Sequence, residues 1–137
     1  MRMLNVRGKS VSKNVSKYLI NWDGKSRSKF QEKVKAFLKP YWSYCIVYEE
    51  FPVYGTLLKV DILNATKKIA VEINGDQHYS YNKFFHGSIE KYADSLERDT
   101  VKLEWLEKNG YTLIEIKSED LKHLSENFFN KKFGIEL

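Results

Sequence analysis

Asp61 and Glu72 stand 11 residues apart in two apolar runs, Leu57-Leu58-Lys59-Val60-Asp61-Ile62-Leu63 and Ile69-Ala70-Val71-Glu72-Ile73. Runs rich in aliphatic and β-branched residues read as buried strands. The short link Asn64 to Lys68 makes them an antiparallel hairpin, which can set the two acids side by side on one face. A carboxylate in a buried strand is costly unless it is paired or binds a metal. Two carboxylates in one place repel unless a divalent cation sits between them. Mg²⁺, with Mn²⁺ as a substitute, favours oxygen ligands and often needs only one or two carboxylates. Such an ion activates water and stabilises a phosphoryl-transfer transition state. The plainer alternative for Glu72 is an edge strand with the carboxylate in solvent.

More polar groups gather past the second run. Asn74-Gly75 favours a turn, and Asn74, Gln77 and His78 cluster with Glu72 at the strand end. A neutral imidazole there suits a general base or acid, although hydrogen bonding to the loop backbone is the plainer use of His78. Asp99 lies on the apolar stripe Tyr92, Leu96, Leu103, Leu106 of a helix. On that face it needs a partner, such as Arg98 or Lys102, or a chemical task.

The elements that position these residues follow from periodicity. Ser28 and Gln31 form a capping-box pattern opening a helix over about 28–39. Its stripe is Phe30, Val34, Phe37, Leu38 and Tyr41, with Pro40 as its stop and Glu32 pointing away. Residues 44–51 read as a first strand. Residues 75–89 are a polar and aromatic loop, long enough to suggest function. Its Tyr81 and Lys83 suit base stacking and phosphate contact, with aromatic anchors packing the loop to the core as the alternative. A helix over 90–108 ends at Asn109-Gly110. A fourth strand covers 111–116, and a last helix runs from Ser118 to about Asn130 with Leu121, Leu124, Phe128 and Phe129 inward. The expected fold class is α/β, a mixed sheet flanked by helices in the order α-β-β-β-α-β-α.

The 137 residues suit one domain, and 42% hydrophobic residues suffice for a core. No run of 18 apolar residues exists to span a membrane. Cys45 is the only cysteine, so no internal disulfide forms, which fits a reducing cytoplasm. Charge is uneven: residues 1–29 carry eight Lys and Arg against Asp23 alone, a net +7, and the remainder carries −2. A loose basic arm over 1–25, with one short helix at most, ahead of a domain over 26–137 suits a polyanion such as double-stranded DNA. Arg7, Lys9, Lys13, Lys25, Arg27 and Lys29 are its candidate phosphate contacts; a solvated tail is the alternative. The histidines and the cysteine have no zinc-site spacing, and no glycine-rich phosphate loop or nucleophile elbow is present.

Val60-Asp61, Val71 to His78, Glu97-Arg98-Asp99 and Asn109-Gly110-Tyr111 together resemble the PD-(D/E)XK restriction-endonuclease-like superfamily. The branches most similar are the very-short-patch repair endonucleases and the phage-type EDxHD homing endonucleases, over about residues 26–117. The resemblance implies a restriction-endonuclease-like fold and a Mg²⁺-dependent DNA endonuclease. Asp61 and Glu72 match the metal ligands, His78 the catalytic histidine and Asp99 the helix acid. Gln31 falls where the family has a helix glutamate, and Asn74 where it usually has lysine. Those departures shift weight onto His78, leaving Asn74 and Gln77 to position water or phosphate. A phage or mobile-element homing nuclease in a bacterial host cytoplasm is the first expectation and a mismatch-repair nicking enzyme the second. A DNA-binding module on a decayed nuclease fold is the non-catalytic alternative. Sequence specificity would come from the arm, the 75–89 loop, a homodimer or a separate recognition partner.

Overall fold

The computed structural model describes residues 1–74 and 89–137, and for residues 89–95 the helical backbone alone. After two short strands, β1 (Arg2–Leu4) and β2 (Ser10–Ser12), comes its centre, a four-stranded mixed sheet. Strands β3 (Val47–Pro52), β4 (Lys59–Asn64) and β5 (Ile69–Asn74) form an antiparallel meander. β6 (Thr112–Lys117) lies parallel to β5 and is reached through α2 (Ile89–Lys108). β5 is therefore an inner strand, and Glu72 is not on an edge.

Two apolar clusters cover the two faces of this sheet. α1 (Lys29–Trp42) sends Val34, Leu38 and Trp42 against Ile62, Val71, Ile114 and Ile116. On the other face Trp105 and Leu106 of α2 meet Phe51, Val60, Leu63 and Ala70. The Ser28 hydroxyl accepts from the Gln31 N–H and opens α1 as expected, but the Gln31 side chain turns inward instead of closing a capping box. Pro40 does not end the helix. It sits in the last turn, where its missing N–H costs the helix a single bond, to the Ala36 carbonyl, and the ladder continues to Ser43 N–H on the Lys39 carbonyl.

Three further expectations change. The α2 core face is Trp105 and Leu106, whereas Leu96 and Leu103 are 43% and 39% exposed. The large indole fixes the helix rotation, and its Nε1 donates to the Leu4 carbonyl. The segment after β6 breaks into a 3₁₀ helix (Ser118–His123) and α3 (Glu126–Phe133), the latter capped by Ser125 rather than Ser118. Asp120 explains the break: it accepts from the Lys117 N–H and from Lys132 of α3, folding one segment back on the other.

The first 25 residues are not a loose arm. β1 (Arg2–Leu4) and β2 (Ser10–Ser12) form an antiparallel hairpin, followed by a 3₁₀ turn at Ser16–Tyr18. Met3 and Val15 are buried in the α2-side core. Asn109, just past α2, clamps the hairpin through both its Oδ1 and Nδ2 to Leu4. Gly110 closes that helix at φ +80°, a conformation costly for other residues.

Candidate active site

The β4–β5 register pairs Ile62 with Val71, which sets Asp61 across from Glu72 one step along the ladder. Both acids are almost wholly buried. Each has one oxygen fixed by the backbone of the other's strand. The Ile73 N–H donates to Asp61 Oδ2 at 2.8 Å, and the Asp61 N–H donates to Glu72 Oε2 at 3.2 Å. The second oxygen of each meets a cation. Arg27 Nη2 lies 3.2 Å from Asp61 Oδ1, and Lys102 Nζ 2.7 Å from Glu72 Oε1.

These groups border a cavity of about 230 Å³ lined by Arg27, Leu58, Asp61, Glu72, Asn74, Arg98, Asp99 and Lys102. Among the described residues its ionisable groups are three acids and three cations. Burial, and after it the adjacent Asp61 carboxylate, push the Glu72 carboxyl up to about 8; Lys102 opposes this only in part. A larger open groove of about 910 Å³ between α1 and the Ser118–Leu124 segment holds, among the described residues, one carboxylate, Glu119. Among the described residues, the smaller cavity is the one where several acids and cations converge.

Of the residues expected at the site, the fold brings together Asp61, Glu72, Asn74 and Asp99. Gln77 and His78, with Tyr81 and Lys83, lie outside the described residues. Gln31 is fully buried and is not part of the cavity wall. Its amide donates to Glu49 at 2.7 Å and to Glu50 at 3.2 Å. Glu49 also takes Lys35, a fully buried lysine, at 3.0 Å. Glu50 holds φ +53°, the left-handed region, in the strand row across from Asp61, and Arg27 reaches its carboxylate at 4.0 Å.

Among the arm cations, Arg27 alone enters the cavity. Arg7, Lys9, Lys25 and Lys29 are exposed, and Lys13 stacks over the Tyr54 ring at 5.0 Å. Lys102 is the functional residue missed as a contributor to the acid pair. It lies on the same helix as Asp99, three positions on and therefore on the same face, but it partners Glu72.

No family model matches the chain, and no solved structure matches it. Similar proteins occur in viruses. The uncharacterized protein 033L of Invertebrate iridescent virus 3 is 40% identical over 65 residues, 47% of this chain and 34% of that protein. The uncharacterized protein 307L of Invertebrate iridescent virus 6 is 32% identical over 74 residues, 54% of this chain and 37% of that protein. The uncharacterized protein 094L of Frog virus 3 is 36% identical over 66 residues, 47% of this chain and 43% of that protein. The chain thus spans less than half the length of these curated relatives. No described helix is long and apolar enough to cross a membrane.

Proposed function

We propose that the chain is a metal-dependent endonuclease domain of restriction-endonuclease-like architecture, hydrolysing phosphodiester bonds in double-stranded DNA. The observation that carries this reading is the Asp61–Glu72 pair: two buried carboxylates on paired strands, in a cavity edged by Arg27, Arg98 and Lys102. Two carboxyls are not buried side by side without partners or a use, and here each turns one oxygen to a cation.

The donor set fits a divalent cation. Both groups are hard oxygen donors, each held by a backbone N–H on one oxygen and drawn to positive charge on the other. Burial beside Asp61 raises the Glu72 carboxyl, a strain that a dication relieves. Asp61 and Glu72 would hold Mg²⁺, which when bound supplies Lewis-acid activation of water and charge neutralisation at phosphorus.

The chain's own residues supply the rest. Arg27, Arg98 and Lys102 present positive charge to a phosphate entering the cavity, where low dielectric strengthens it. The Asn74 amide and the Asp99 carboxylate border the same space; Asn74 would position water or phosphate, and Asp99 would orient His78 or a water. His78, four residues past the end of β5, takes the proton of the attacking water, and Gln77 positions water or phosphate. The exposed cations Arg7, Lys9, Lys25 and Lys29 extend the positive surface for duplex phosphates. The viral origin of the relatives favours a virus-borne or homing-type nuclease over a mismatch-repair nicking enzyme.

A second reading, a DNA-binding module without catalysis, draws on the same cations, since Arg27 and Lys102 already neutralise both acids. Supercoiled plasmid with Mg²⁺ or Mn²⁺ separates the two. The expected result is nicked or linear product, none in EDTA, and none with Asp61→Asn although that variant stays folded. DNA retardation without cutting supports the binding module. Cleavage that persists in EDTA overturns the metal reading.

A further inference from the structure

The two cations on the acid pair are held very differently. Lys102 is mostly buried, 18% exposed in its side chain, and sits 2.7 Å from Glu72. Arg27 is 61% exposed, yet its guanidinium reaches onto Asp61, whose side chain is only 4% exposed. The oxygen it covers, Oδ1, is the one that the backbone does not use, since Oδ2 takes the Ile73 N–H. That same oxygen is the one a bound cation would take.

We propose that Arg27 trades places with the divalent cation: it covers Asp61 Oδ1 while the site holds no metal, and grips a DNA phosphate once metal occupies that oxygen. This rests on the endonuclease reading above. Three observations support it. Among the described residues the cavity is lined by as many cationic as acidic side chains, so a dication adds two positive charges, of which each phosphodiester of the substrate offsets one. Arg27 directly precedes Ser28, the capped start of α1, so its backbone is anchored and only its long side chain need move. It lies between Lys25 and Lys29, both exposed, and its planar fork suits phosphate oxygens as well as it suits a carboxylate.

The consequence is reciprocal coupling: metal and DNA each raise affinity for the other through one side chain. Mn²⁺ binding to the DNA-free protein, followed by electron paramagnetic resonance, tests one arm. Fluorescence anisotropy of a short duplex, in EDTA and in Ca²⁺, tests the other. Arg27→Gln is expected to bind Mn²⁺ up to about fivefold more tightly than wild type, the worth of a largely exposed ion pair. It is expected to lose more duplex affinity in Ca²⁺ than in EDTA. Lys25→Gln, which removes a neighbouring charge that does not touch Asp61, is expected to weaken duplex binding equally in both conditions and to leave Mn²⁺ affinity almost unchanged. Equal Mn²⁺ gains in the two variants would reduce the effect to general electrostatics and overturn the trade. So would a duplex loss in Arg27→Gln that ignores metal. If instead Mn²⁺ binds neither wild type nor any variant, or binds Asp61→Asn as well as wild type, it is the endonuclease reading that fails.

Discussion

Glu72→Gln should change the stability of this domain with opposite signs from what a short ion pair suggests. Glu72 lies 2.7 Å from Lys102, so deleting its charge looks destabilising at neutral pH. Yet burial and then Asp61 raise its carboxyl from 4.5 to about 8. The folded state therefore holds a proton that the unfolded chain has released between those two values. By linkage, the contribution of Glu72 is complete below about pH 4.5 and is lost as pH rises to about 8. One proton's linkage is worth at most about 1.4 kcal/mol per pH unit. Between pH 5 and 7.5 the wild type should lose about 3 kcal/mol that the variant keeps. Glutamine retains the shape and can accept the Asp61 N–H, so the two proteins should be of similar stability at pH 5 and diverge above it. Urea unfolding at pH 5, 6.5 and 8 in EDTA measures the difference. Parallel pH profiles, or a variant that falls further behind wild type as pH rises, would refute the reasoning.

His78→Ala should cut the cleavage rate by about 10²–10⁴ while leaving duplex binding intact, and should remove a limb near pH 6–7 from the pH–rate profile. An unchanged rate and profile would remove His78 from the mechanism. Trp105→Ala should cost about 3–5 kcal/mol in urea unfolding, because the indole is fully buried and tethers the hairpin through Leu4. A loss under 1 kcal/mol would mean that the hairpin does not depend on it.

The acid pair was legible because a short turn between two apolar runs fixes both partner and face. Once Asn64 to Lys68 is a turn, Asp61 can only meet Glu72 or slip to the opposite face. The order of the central elements was legible for the same local reasons. Lys102 was not, since its partner is 30 residues away and a lysine on a helix ordinarily reads as solvated. The rotation of α2 was misread because Leu96 and Leu103 fit a 3.6-residue period, whereas tertiary packing chose Trp105 and Leu106. The N-terminal hairpin was hidden by strand length: three-residue strands carry almost no periodic signal and are held by Asn109 and Trp105, about 100 residues later. Gln31 shows the limit of position-matching, since its place on α1 was correct but its side chain serves Glu49 and Glu50 rather than the cavity.

The proposed endonuclease function depends on Asp61 and Glu72 holding a divalent cation together. Anomalous diffraction from crystals soaked in Mn²⁺ measures this most directly. The expected result is a peak at the Asp61 and Glu72 carboxylates, with the Arg27 guanidinium withdrawn. Saturating Mn²⁺ with no peak between the two carboxylates, and Arg27 and Lys102 still seated on them, would contradict it.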